Sequence, residues 1–489
     1  MPENKESTEK AIVWKTIERA GYLGCQFIFQ LIMARLLDPD DYGALSVMII
    51  FINFANVFVQ TGLTSAVVQA KNIDDNDCSS VFWINMLFSL FFGVILFFSA
   101  PCIEEFYCFD NFVLPFRVLL LILPLSANTA VQTAILSREM TFQPIMRASL
   151  ISIFASGMVG ILLSLNGFGV MALVSQQIVY YFANSILLST FSKWHPKLFC
   201  SLYKIKLLIL YGWKILASNI VEVIYNEAVS FTVGKKFSPT ILAYYNRGKQ
   251  YPQMLVSIVK ESLQSVLLSS FSRDQDNRVK ISSTIRMFVR ISSTAVYFLT
   301  ATLAATSRPL VVLMLTEKWL PCVPFLKLAC IYFALVPIST VTLQAVNAVG
   351  RSDVYLRLSI IKRLISLGLV VASVFLFDSI IYIAIVWTFT GVLNIALNYK
   401  DIKKLFNYTL KELFIDTIPY IGIAIITYIV QTAISFIISS DLIIVMVQCI
   451  IGIGLYWLLL RLFRLRGYFE FVDFFKAVFI SRKNPKRKV

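Results

Sequence analysis

Charged residues are scarce in this sequence, and their scarcity excludes a soluble protein. Only 15% of the 489 residues are Asp, Glu, Lys or Arg, whereas 58% are hydrophobic, and the mean hydropathy is +0.75. A soluble chain of this length needs far more polar surface. The composition therefore predicts an integral membrane protein.

Motifs for catalysis and metal binding are also missing. The single histidine, His195, lies in a basic stretch, and the eight cysteines show neither CxxC nor Cys/His metal-ligand spacing. The sequence has no GxxxxGK[ST] phosphate loop, so we do not expect this chain to couple directly to ATP. It also has no HExxH or GxSxG motif. We therefore expect no enzymatic activity and no cofactor.

Apolar stretches of helical length are what the chain has in abundance. A helix needs about 20 apolar residues to cross the ~30 Å hydrocarbon core, and about fourteen such stretches can be found. The predicted class is an all-α membrane protein with spans at 17–37, 42–66, 79–101, 114–136, 142–164, 168–190, 206–232, 240–268, 287–307, 322–347, 356–377, 379–398, 413–437 and 441–460.

The net charge of +16 reflects membrane topology rather than nucleic-acid binding. With a cytoplasmic N-terminus, the inward segments and their helix ends hold 31 of the 44 Lys and Arg, and the outward segments hold five. This bias predicts that both termini are cytoplasmic, in a bacterial inner membrane. The inward segments are 1–16, 67–78, 137–147, 191–206, 269–286, 348–363, 399–412 and 461–489.

A weak internal duplication relates the two halves of the chain. Pro39 before the second span matches Pro239 before the eighth, 200 residues later. Pro124 and Pro337 lie inside the fourth and tenth spans, each fourteen residues before an arginine. Six helices separate the paired elements, which favours two six-helix lobes related by a pseudo-twofold axis along the membrane normal, plus two C-terminal helices. The predicted domains are 1–200, 201–404, 405–464 and a cytoplasmic amphipathic, polybasic tail at 465–489.

Polar residues recur on one face of several predicted spans. Polar side chains in a membrane are costly, so they should face protein or water. One interpretation is a water-filled cleft between the lobes, and the other is interhelical hydrogen bonding. In helix eight six such residues, of which the fifth is Lys260, follow at steps of 4, 3, 4, 3 and 4 and form a single stripe. The candidate cavity-lining residues are Asn246, Gln250, Gln253, Ser257 and Gln264 of helix eight, Asn53, Asn56 and Gln60 of helix two, and Asn219 and Asn226 of helix seven.

Cations outnumber acids within the spans, which suits an anionic substrate such as one that bears phosphate. The candidate headgroup-binding residues are Lys260, Lys249, Lys214 and Arg19. The candidates for ion coupling are Glu222, Glu227 and Glu261. Lys260 could instead pair with Glu261 or Glu222, and Arg35, Arg247 and Lys327 could extend their charges towards the membrane surface.

Several short runs resemble those of Wzx-type polysaccharide and O-antigen repeat-unit flippases, in particular the colanic acid and teichuronic acid exporter branch. The resemblance covers residues 10 to 400 with order and spacing preserved. It departs from the family where many relatives have an acid five residues before a glycine of helix seven. Val229 holds that place here, and Glu227 is two positions earlier. The matching runs are Ala34–Gly43, Gln60–Leu63, Val81–Asn85, Ala100–Pro101, Ser137–Phe142, Ala243–Arg247 and Glu317–Trp319.

The resemblance implies the fold of the multidrug/oligosaccharidyl-lipid/polysaccharide exporter superfamily, with two lobes around a central cavity. It also implies a substrate, an undecaprenyl-pyrophosphate-linked oligosaccharide that is flipped across the inner membrane by alternating access. The expected partners are this lipid-linked oligosaccharide, membrane lipids, and the polysaccharide polymerase and chain-length machinery, with no nucleic acid. The alternative is a multidrug-type antiporter of small organic cations, whose site would favour acidic and aromatic residues.

Overall fold

The described part of the chain is almost entirely helical. A computed structural model describes residues 21–60, 64, 67, 73–139, 141–192, 194–199, 202–273 and 278–483. Only the backbone is described at 202–215, 218, 262–266, 268–270, 272–273, 352, 475 and 477–483.

The helices follow one another with short connections. The first half contains a helix at 21–36 (α1), then α2 Pro39–Gln60, α3 Asp75–Tyr107, α4 Val113–Leu119, α5 Ile122–Arg138, α6 Phe142–Leu165, α7 Val170–Phe191 and α8 Leu202–Lys236. The second half contains α9 Pro239–Arg273, α10 Arg278–Ala305, α11 Ser307–Leu315, a 3₁₀ helix Glu317–Cys322, α12 Val323–Ala348, α13 Ser352–Leu376, α14 Ile380–Phe406, α15 Leu410–Ile434, α16 Asp441–Leu462 and α17 Arg466–Lys483.

A helix occupies each of the fourteen predicted spans, so the predicted fold class is confirmed. Among the described residues, eleven helical stretches are long and apolar enough to cross a membrane. The other three predicted spans correspond to α1, α8 and α9. The short helix α11 was not predicted, because its nine residues are too few for a membrane span and lie almost wholly between the predicted spans 287–307 and 322–347.

Proline has different effects in the two repeats. The predicted span 114–136 is divided into α4 and α5, because Pro124 has no N–H to donate to the carbonyl of Leu120. That carbonyl accepts a 3.0 Å hydrogen bond from the N–H of Leu123 instead. Pro337 lies inside the uninterrupted α12, and Pro252 lies inside α9.

The chain forms two compact units, residues 1–243 and 244–489. In the first unit α6 packs on α7, α2 packs on α5 and α8, and α3 packs on α5 and α8. In the second unit α12 packs on α10 and α14, α10 packs on α15 and α17, and α13 packs on α14. The lobes at 1–200 and 201–404, the helix pair at 405–464 and the tail at 465–489 remain predictions.

The two proline motifs that introduce α2 and α9 lie together in the first unit. A Cβ on Gly43 would come 2.4 Å from the carbonyl oxygen of Pro239, so only glycine fits this approach. The Thr240 hydroxyl donates a hydrogen bond to Asp40. The Asp41 carboxylate accepts a 3.1 Å hydrogen bond from the Asp38 N–H and thereby organises the turn before α2. The sequence run Asp38–Gly43 is therefore explained by local packing.

Candidate functional site

Two of the predicted polar residues of α2 form hydrogen bonds to neighbouring helices. Asn53 donates to Glu227 of α8, with Nδ2 and Oε1 2.9 Å apart. Asn56 accepts a 2.8 Å hydrogen bond from the Ser126 hydroxyl of α5. An amide in a low-dielectric interior requires such a partner. Both asparagines therefore contribute to the interhelical hydrogen bonding that the sequence had left as one of two interpretations.

A second polar seam joins α5 to α7 and was missed by the sequence analysis. Asn128 donates to the hydroxyls of Ser185 and Ser189, at 2.5 and 3.2 Å. Gln132 donates to Ser189 at 2.8 Å. The sequence does contain a signal for this polar seam, because Asn128 and Gln132 are four residues apart and therefore lie on one helix face.

The polar face of α8 includes two exposed candidate residues. Glu222 and Asn226, one helical turn apart, are exposed, whereas Val229 and Ser230 are buried. Asn219 is half-buried and lies one turn before Glu222. Glu227 is half-buried and is the acceptor for Asn53. The three candidate residues Asn219, Glu222 and Asn226 thus form a continuous accessible stripe on α8. Gln60, also half-buried, ends α2.

The predicted stripe of α9 is accessible along its described length. Gln253 is exposed, and the other described members, Asn246, Gln250, Ser257 and Lys260, are half-buried. Elsewhere on the helix, Tyr245, Tyr251 and Val256 are buried and Ile258 is 52% exposed. Glu261 is exposed beside Lys260. The side chain of Gln264 lies outside the described residues. Polar side chains of a spanning helix should face protein or water rather than lipid, so the exposed Gln253 is a candidate for contact with water.

The cations at the start of α9 rest on aromatic rings of the second unit. The Lys249 ammonium lies 5.4 Å from the ring centroid of Trp387 and 5.7 Å from that of Tyr245. The Arg247 guanidinium lies 5.0 Å from the Trp319 ring and donates a 3.0 Å hydrogen bond to Gln250. Arg247 is only 5% exposed. Cation–π contacts keep both charges in place within a low-dielectric surrounding.

Two other candidates cannot be placed. The side chain of Lys214 and the whole of Arg19 lie outside the described residues. The described cations of the predicted headgroup site are therefore Lys249, which lies on aromatic rings, and Lys260, which lies on the accessible stripe. Lys362 of α13 is a further cation that the sequence analysis missed, because it counted this residue in a cytoplasmic segment. Its side chain is buried, with 8% exposure.

A partly buried ion cluster in the second unit was also not predicted from the sequence. Arg286 of α10 contacts Asp416 and Glu412 of α15 at 2.8 and 2.9 Å. Arg290 contacts Asp416 at 2.9 Å and also pairs with Glu470 of α17. Asp416 is 2% exposed and is shared by both arginines. Arg290 and Asp416 lie inside the predicted spans 287–307 and 413–437, and an acid such as Asp416 inside a span was the missed signal for this cluster.

The described helices define a multi-pass helical membrane protein. Residues 32–324 match the family described as polysaccharide biosynthesis protein, and the chain belongs to that family. The resemblance predicted from the sequence is confirmed.

Individual proteins are also similar to this chain. The succinoglycan biosynthesis transport protein ExoT of Rhizobium meliloti is 22% identical over 367 residues, which are 75% of this chain and 74% of ExoT. The teichuronic acid biosynthesis protein TuaB of Bacillus subtilis is 21% identical over 61% of this chain and 62% of TuaB. The fold is similar to that of the lipid II flippase MurJ in an inward closed conformation. In that comparison the TM-score is 0.75 and the identity is 15%, over 92% of this chain and 98% of MurJ.

Proposed function

We propose that this protein flips an undecaprenyl-pyrophosphate-linked oligosaccharide repeat unit across the bacterial inner membrane by alternating access. The flipped unit would then enter the biosynthesis of a surface polysaccharide such as O-antigen, capsule or exopolysaccharide. Both termini would be cytoplasmic, as the distribution of Lys and Arg predicts. The polymerase and chain-length machinery would receive the unit, and the protein itself would carry out no chemical reaction.

The observation that carries this proposal is the accessible polar stripe of α9. It combines amide and hydroxyl groups, which suit a sugar, with the ammonium of Lys260, which suits a diphosphate. Transfer of a diphosphate through a low-dielectric region without counter-charge would cost many kcal/mol. A stripe lined by acids and aromatic rings would suit an organic cation better. The membership of a polysaccharide biosynthesis family supports the same substrate class.

The candidate residues form two sets, one for binding the headgroup and one for ion coupling. Lys260 and Lys249, with Lys214 and Arg19, would hold the anionic headgroup. Glu222, Glu227 and Glu261 remain candidates for ion coupling. Among them, Glu222 and Glu261 are exposed and Glu227 is bonded to Asn53. An accessible carboxylate can exchange protons or cations with water more readily than one held in an interhelical hydrogen bond.

The proposal is tested by flipping in proteoliposomes. A fluorescent undecaprenyl-pyrophosphate oligosaccharide is placed in both leaflets, and a membrane-impermeant quencher reports the fraction that crosses. We expect the purified protein to convert the protected fraction into a quenchable one at a rate well above that of protein-free liposomes. Efflux of organic cations from the same proteoliposomes, without flipping of the lipid-linked sugar, would replace the proposal with a multidrug-type function.

A further inference from the structure

A basic pocket lies between α13 and α14 in the second unit. Its cavity of about 510 Å³ is formed where α13 begins and α14 ends, since the two helices pack side by side. The lining residues are Arg351, Val354, Arg357, Leu358, Ile361, Leu397, Lys400, Asp401, Lys404 and Leu405.

The charge of this pocket is strongly positive. Four cations line it, together with a single acid, Asp401, which forms a 2.9 Å ion pair with Arg357. Arg351 pairs with Asp353 at 3.0 Å, just outside the lining. Among the described residues, Lys400 and Lys404 have no ion-pair partner. The pocket therefore presents two uncompensated ammonium groups on successive turns of α14.

The lining below the cations is apolar and continues onto an exposed helix face. Val354 and Leu358 are each 4% exposed and form the inner wall. Ile361 lines the pocket and is also 38% exposed, and Leu364 lies one turn further along α13 with 57% exposure. Exposed leucine and isoleucine in a spanning helix face the lipid chains. The pocket thus combines a cationic rim with a wall that opens towards hydrocarbon.

Both segments that supply the cations belong to the same predicted side of the membrane. Arg351 and Arg357 lie in the inward segment 348–363, and Lys400 and Lys404 lie in the inward segment 399–412. The cytoplasmic leaflet carries anionic lipids, and basic pockets between spanning helices on this side bind their headgroups. The positive-inside rule requires only that lysines and arginines lie on this side, and it does not require them to converge on a cavity.

We propose that this pocket binds the phosphate headgroup of an anionic membrane phospholipid. The ammonium groups of Lys400 and Lys404 contact the phosphate, and an acyl chain lies along Ile361 and Leu364. This site is separate from the proposed substrate stripe of α9. Because the lipid would contact both α13 and α14, its binding would hold the two helices together at their predicted cytoplasmic ends.

The test measures retained lipid on the purified full-length protein. Wild-type protein is exchanged into nanodiscs of phosphatidylcholine with a minor share of phosphatidylglycerol, and the bound lipids are counted by native mass spectrometry after release. We expect wild-type protein to retain phosphatidylglycerol in preference to phosphatidylcholine. The double variant K400Q/K404Q should lose this preference roughly tenfold, because each lysine near an anionic headgroup contributes to its binding.

The matched control is K403Q/K411Q, which removes the same charge from two exposed lysines that do not line the pocket. It should retain phosphatidylglycerol as the wild type does. An equal loss in both double variants would overturn the proposal, since attraction would then depend on total charge. Displacement of the lipid by millimolar inorganic phosphate would also overturn it in favour of a soluble anion. The single variant K404Q serves if the double variant does not purify.

Discussion

Asn53 of α2 and Glu227 of α8 form a direct hydrogen bond, with 2.9 Å between the amide nitrogen and the carboxylate oxygen. The contact joins residues 174 positions apart and ties the second helix to the seventh predicted span. The bond gives Glu227 a structural role that needs no change of protonation, beside its candidate role in ion coupling.

The Asn53–Glu227 bond predicts that E227Q is mild. The glutamine side chain keeps an oxygen that accepts from Asn53, so we expect near-normal protein levels and most of the flipping activity. E227A removes the acceptor and leaves the Asn53 amide unsatisfied, which should lower stability by about 1–3 kcal/mol. Thermal unfolding in detergent and proteoliposome flipping measure the two effects. Complete loss of flipping in E227Q, with an unchanged melting temperature, would instead assign ion coupling to this carboxylate.

Lys260 is expected to matter for transport rather than for folding. It is half-buried on the accessible stripe of α9. We expect K260A to reduce flipping of the lipid-linked oligosaccharide at least about tenfold, because the diphosphate loses a counter-charge. K260R should keep part of the activity. K411A, which removes an exposed lysine of α15, is the control at matched protein level. Wild-type rates in both Lys260 variants would remove this residue from the headgroup site.

Asp416 should be the most sensitive acid in the second unit. Its carboxylate is 2% exposed and lies between Arg286 and Arg290. D416A leaves two partly buried guanidinium groups with fewer partners, and loss of one member of a buried pair costs about 3–5 kcal/mol. We expect a large fall in melting temperature. The exposed pair of Arg351 with Asp353 supplies the control, because D353A should leave the melting temperature unchanged. Equal melting temperatures for wild type and D416A would contradict the assigned role.

Gly43 provides a steric test of the approach between α2 and the start of α9. A methyl group here would come 2.4 Å from the Pro239 carbonyl oxygen, so G43A should lower the yield and the melting temperature. G93A in α3 is the control, because a Cβ on Gly93 meets nothing within 4 Å. We expect this control to be neutral or slightly stabilising, since alanine favours a helix more than glycine does. Equal behaviour of the two variants would show that the approach is not required.

Most of the helical architecture could be predicted, because membrane insertion imposes a length and a hydropathy that one sequence displays directly. The break at Leu120 was missed because it depends on local hydrogen bonding inside a continuous apolar sequence. Helix α11 was missed because nine residues are too few for a membrane span. The stripe of α9 was also found, because helical periodicity places its residues on one face. The partners of Asn53, Lys249 and Arg290 were not found, since these pairs join distant segments and no single-chain pattern encodes them.

The attachment of α17 has a practical consequence for handling the protein. Glu470 pairs with Arg290, and the backbone N–H of Gly467 donates a 2.8 Å hydrogen bond to the Tyr420 hydroxyl. Helix α17 is thereby attached to α10 and α15 by polar contacts. Its removal would take away these partners of Arg290 and Tyr420. Affinity tags should consequently be added beyond Lys483, since a chain shortened to Leu465 would leave Arg290 short of one of its two acids.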